Sequence, residues 1–252
     1  MSRLAIDILR MPGVLSEIVH NAGVDNRLGI ESTATWIREH PDPRQMVKAV
    51  GQAWSHTSLP VRHWVESITD VKIMTNERYT ELLLEVTLEG LGVRSVLQEA
   101  PLGEEEVQRL AKRIPGNVPA VLKEIGAACP GLSIEDTGAL MRSEFLFDPL
   151  GQISRWVACS DTTPSVCDHY GCEYPDPARF RLECADNGQA CCYVLDVDNC
   201  IYYHSYGDLP GLVRCTVSPN EFVRAYFKSP EVILDPFTVG WAKYPRTRGR
   251  QA

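Results

Sequence analysis

The sequence predicts an α+β fold, in which a helical N-terminal region is followed by an antiparallel sheet with flanking helices. Three observations lead there. Apolar residues recur at spacings of three and four through the first part of the chain, then at spacings of two in the second. The second part holds several short strand-like runs separated by turn residues. The chain then returns to helix with a full start signature at "SPNEFVRAYFK". Helices first, strands next and a closing helix is the order of an α+β protein.

The helical elements come in sequence. "LAIDILRMPGVLSEIVHNAG" sets Leu4, Ile8, Met11, Leu15 and Val19 on one face, with Gly23 as a stop. A second helix is expected from Glu31-Ser32-Thr33 to His40, before Pro41. A third, from about Asp42 to His56, places Met46, Val50 and Trp54 together. A fourth follows Pro60 and turns Val61, Trp64, Val65 and Ile68 inward. "VKIMTNERYTELLLEVTLEGLGVRSVLQ" fits a helix capped at Asn76 about as well as a strand pair turning at "EGLG". The helical reading is taken, which makes residues 1–98 a mainly helical domain. In "QEAPLGEEE", Gln98 to Glu106, Pro101, Gly103 and three glutamates interrupt the periodicity and set the domain boundary.

The second domain, 103–228, opens with two short helices, "EEEVQRLAKRI" and "VPAVLKEIGAA". "SEFLFDPLGQISRWVAC" reads as a hairpin, because Asp148, Pro149 and Gly151 take positions i, i+1 and i+3 of a type I turn. Further strands are "ARFRLECA", "QACCYVLDV", "CIYYHSY" and "LVRCTV". The closing helix has Ser218 as N-cap, Pro219 at its first position and Glu221 completing a capping box. From about residue 229 to 252 a tail carries Lys243, Arg246, Arg248 and Arg250 with no acid after Asp235, and is expected to be frayed and solvated.

Composition narrows the function classes. Hydrophobic residues at 44% and charged residues at 23% are those of an ordinary globular chain. A formal charge of −8 argues against nucleic-acid binding, which needs clustered Lys and Arg, and suits a basic protein partner. No apolar run is long enough to span a membrane, and "LAIDILRMPGVL" lacks the h-region of a signal peptide, so a cytosolic location is expected.

All nine cysteines lie in the second half. Without an export signal they read as reduced thiols or metal ligands rather than disulfides. Cys159, Cys167, His169 and Cys172 supply three sulfurs and an imidazole within one loop, a set zinc could take, though at a spacing that is no standard pair of knuckles. Cys167-Asp168-His169 holds the residue types of a catalytic triad, but triads are assembled in space rather than by adjacency. Small buried or loop cysteines are the commoner case, and no cofactor is expected. His20, His40, His56 and His63 form no close ligand pair and read as helix-surface residues beside Trp36, Trp54 and Trp64.

"CADNGQACCYVLDVDNCIYYH" reads as strand, turn, strand. Successive strand residues face opposite sides, so Cys191 and Cys192 cannot chelate one ion. "DVDN" is a turn whose Asp and Asn side chains bond their own backbone.

These segments carry a resemblance. Ile114-Pro115 and Val118-Pro119 before "AVLKEIGAACPG", the acidic "ADNGQACCYVLDVDNCIYYH" and the closing "VSPNEFVRAYFK" are similar to a proline-led helix, a central strand pair and a final helix of the SUKH superfamily. The likeness covers residues 103–228. The loop from Asp161 to Pro177 is longer and richer in cysteine than the pattern, and residues 1–98 lie outside it. The resemblance implies a non-enzymatic protein-binding module, most specifically an immunity protein that blocks the active site of a polymorphic toxin. Asp186, Asp196, Asp198, Tyr202 and Asp208 are the expected contact residues, an acidic rim with buried-aromatic anchors such as Tyr202 and Tyr203. A zinc-stabilised regulatory scaffold and, further off, a cysteine hydrolase are the alternatives.

Overall fold

The computed structural model describes residues 2–3, 13, 17–18, 20, 27–75, 81–92, 95–112, 117–135, 137–142, 162–187, 191–205 and 210–244. The fold is α+β. It is built on two antiparallel sheets, each of five strands among the described residues. The first sheet has the order β1 (Ser2–Arg3), β2 (Ile68–Thr75), β3 (Leu82–Leu88), β4 (Val96–Gln98), β5 (Ser133–Ile134). The second runs β10 (Val213–Arg214), β9 (Ile201–Ser205), β8 (Cys191–Asp196), β7 (Phe180–Asp186), β6 (Ala139–Leu140).

The N-terminal half is therefore not helical throughout. The segment read as a helix capped at Asn76 forms β2, β3 and β4, and Leu82, Leu84, Val86 and Leu88 are buried at every second position. That period-two stripe wins because a sheet puts all four residues on one face, whereas a helix would spread them around its axis. The turn after β3 does fall at "EGLG", with Gly90 and Gly92 both at positive φ.

Two helices, α1 (Arg27–Glu39) and α2 (Pro43–Ser55), pack on this sheet. Asp42 caps α2 through its side chain, and Met46, Val50 and Trp54 line the buried face as expected. Trp54 spends its one polar atom on Gln98, Nε1 donating to Oε1 at 3.0 Å inside the core. The element after Pro60 is a 3-10 helix, Pro60–Ser67, and Ile68 already begins β2. The expected helix from Leu4 to Val19 lies largely outside the described residues, as does the "DPLG" hairpin.

Helices α3 (Glu104–Ala111) and α4 (Ala120–Ala128) follow the linker. One apolar core includes residues from both sides of residues 98–106, and β5 completes the first sheet from beyond that linker. An unexpected helix, α5 (Pro164–Tyr170), occupies the cysteine loop. The closing helix α6 (Pro219–Lys228) has the predicted capping box at Ser218 and Glu221. Its buried Tyr226 hydroxyl accepts from Ile134 N and donates to Gly138 O, each at 2.9 Å, tying α6 to the loop that joins the two sheets.

The tail is not frayed through its described part. Ile233 is fully buried, its carbonyl accepts from the Tyr193 hydroxyl, and Trp241 packs its ring on Phe222. Phe237 sets its ring edge-on against Tyr203 on the inner face of the second sheet, a contact that the sequence pattern of a basic terminus does not reveal. Among the described residues no helix is long and apolar enough to cross a membrane.

Candidate functional site on the second sheet

Strand alternation gives the second sheet two distinct faces. Leu182, Cys184, Tyr193, Leu195, Ile201 and Tyr203 join the main core. Phe180, Cys192, Val194, Tyr202 and Leu212 form a smaller cluster on the other side. Cys191 packs against the main core and Cys192 lies in the small cluster, so the two adjacent thiols are separated by the sheet.

The small cluster is edged by a polar chain. Arg179 donates through Nη1 to Glu173 and through Nη2 to the Tyr202 hydroxyl, both at 2.7 Å, and its guanidinium also lies 5.4 Å from the centre of the Tyr202 ring. Burial pushes the Tyr202 phenol up to about 12, although Arg179 opposes that shift. Beneath it His204 is fully buried and donates from Nδ1 to the Gly211 carbonyl at 3.0 Å. Burial holds its imidazole down to about 4, so it stays neutral at physiological pH.

The turn between β8 and β9 is held from several sides. Asp196 Oδ1 accepts from the backbone N–H of Asp198 at 2.9 Å and of Cys200 at 2.8 Å. Asn199 adopts the left-handed conformation at φ 62, and Val197 N donates to Arg179 O at 3.0 Å. Arg181 adds a bond to the Val197 carbonyl. The result is a fixed turn that points Val197, 42% exposed, and Asp198 outward.

The expected contact residues are thus divided. Asp198 is exposed, whereas Asp196 is 2% exposed and Tyr202 fully buried. Both inward placements correct the acidic rim: Asp196 satisfies turn amides, and Tyr202, like Tyr203, fills a core. Asp186 lies at the far end of β7 from Phe180, which pairs with Asp196. Seven strand residues put about 20 Å between those ends. Asp186 is also engaged by Arg142, 2.8 Å from its Nε. Asp208 lies outside the described residues. Sequence reading missed Arg179, Arg181 and Val197, since nothing local says which backbone groups a long side chain will reach.

The proposed zinc set is only partly brought together. Cys167 and Cys172 are neighbours beside Gly211, but His169 is exposed on another side of α5, with its ring against Tyr170. Cys159 lies outside the described residues, and among those described no three His, Cys, Asp or Glu side chains are grouped to hold a metal ion. Cys167, Asp168 and His169 occupy successive positions of one helix, which points them in different directions. Cys167 faces inward while the other two are exposed, and burial, with Cys172 nearby, pushes its thiol up to about 11. That is the opposite of an activated nucleophile. Of the four N-terminal histidines, His20, His56 and His63 are exposed, and His40 stacks on Trp36.

Comparison with protein-family models, with curated proteins and with solved structures found no match to the chain.

Proposed function

We propose that the chain is a non-enzymatic protein-binding module that works in the cytosol as an immunity protein, docking on a basic toxin domain and blocking its active site. The observation that carries this reading is the fixed turn at Asp196 to Cys200, which holds an apolar and an acidic side chain outward with little conformational freedom left to lose. Pre-organisation of this kind reduces the entropy cost of binding. The formal charge of −8 favours fast encounter with a basic partner. The resemblance of residues 103–228 to the SUKH superfamily points the same way. The raised thiols of the described core cysteines give no support to a cysteine hydrolase.

The test is a two-part experiment with the full chain. Proteins captured from the native cell are screened for one whose toxicity co-expression of this chain relieves. Its affinity is then measured for the wild type and for Val197→Asp with Asp198→Lys, both exposed sites where substitution leaves the fold intact. A loss of about tenfold or more is expected for a contact at the interface centre. Absence of such a partner, or an unchanged affinity in the double variant, overturns the proposal.

A further inference from the structure

Helix α5 ends in a Schellman motif. Gly171 sits in the left-handed region at φ 69, its N–H bonds to Asp168 O at 3.2 Å, and Cys172 N bonds to Cys167 O at 2.9 Å. This motif brings the side chains three positions before its cap and two positions after it into contact. Here both are cysteines. A Cβ built on Gly211 would stand 2.8 Å from Cys167 Sγ and 2.9 Å from Cys172 Cβ, so the sulfur of one side chain and the Cβ of the other flank the same point. The backbone bond between them also leaves their Cα atoms within roughly the 4.4–6.8 Å that a disulfide spans.

We propose that Cys167 and Cys172 form a redox-active dithiol, a modification site that reacts with low-molecular-weight disulfides and closes to an intramolecular disulfide. Cys172 is the entering thiol. It is the more exposed of the two, 8% against 1%; burial raises both thiols, and at Cys172 a hydrogen bond from the Gly211 backbone works against that rise. Cys172 loses its proton to solvent and its thiolate attacks one sulfur of the small disulfide, releasing one small thiol and leaving a mixed disulfide. The Cys167 thiol, deprotonated in turn, attacks Cys172 Sγ and expels the second small thiol. Two cysteines are oxidised and one small disulfide is reduced. The closed bridge clips the end of α5 beside Pro210, whose carbonyl Cys167 contacts through Sγ at 3.6 Å.

The test needs no variant. The full chain is incubated with oxidised glutathione, blocked with an alkylating agent and cleaved before aspartate without reduction. Cleavage at Asp148, Asp161, Asp168 and Asp176 puts Cys159, Cys167 and Cys172 on three different peptides. The expected product is peptide 161–167 linked to peptide 168–175, separating on reduction. Recovery of both as alkylated or singly glutathionylated peptides, or a link from either to peptide 148–160, overturns the proposal.

Discussion

Two aspartates two residues apart show how little residue type says about role. Asp196 is buried and binds turn amides, while Asp198 is exposed on the turn that Asp196 holds. The same contrast separates His204, buried and neutral, from the exposed His169. His204 makes a measurable prediction. An unfolded imidazole titrates near 6.5, and the folded one is held down to about 4. Between those values the unfolded state binds more protons, so stability is full above pH 6.5 and falls as the pH drops towards 4, by about 3 kcal/mol. Urea titrations across pH 4–7 should show this slope in the wild type and a shallower one in His204→Gln. Equal slopes in the two proteins would remove His204 as its source.

Elements whose signals are local were legible. The closing helix has its cap, first-position proline and capping-box glutamate where the sequence sets them, because each bond spans three residues or fewer. Ser218→Ala should therefore cost about 1 kcal/mol in chemical denaturation, with the slope of the transition unchanged. A wild-type midpoint in that variant would show that the cap contributes nothing. Helix α5 carries comparable signals in Thr163, Pro164 and Gly171, but its seven residues are too few to show a helical period of their own. Strands β2 to β4 were harder. Leu82-Leu83-Leu84 fits either period, and the choice belongs to the neighbours: β3 is flanked by β2 and β4 and covered by α1. A strand's hydrogen bonds lie outside itself, so a single segment cannot show whether they will be made.

At the scale of the whole molecule, the two halves read from the sequence share a core. Beyond the linker, β5 pairs with β4 at Val96 and Leu97, and the Ala100 amide bonds to Thr33 in α1. A fragment of residues 103–252 should consequently lack the single cooperative unfolding transition expected of the full chain, because its core is opened and β5 loses its partner. Near-ultraviolet circular dichroism during a denaturant titration checks this. A sharp transition in the fragment would show instead that residues 103–252 fold independently.

Taken by itself, the sequence determined the α+β class, the facing of Cys191 and Cys192 to opposite sides, the turn at Asp196 to Asn199 and the capped closing helix. Each rests on geometry repeated every two to four residues. Only the tertiary structure decided that Asp196 and Tyr202 are buried, that Asp186 stands at the other end of its strand, and that Ile233 and Phe237 meet Tyr193 and Tyr203 of the second sheet. Burial is set by what arrives from distant parts of the chain, and Cys167 beside Gly211, 44 residues on, shows the reach of that effect.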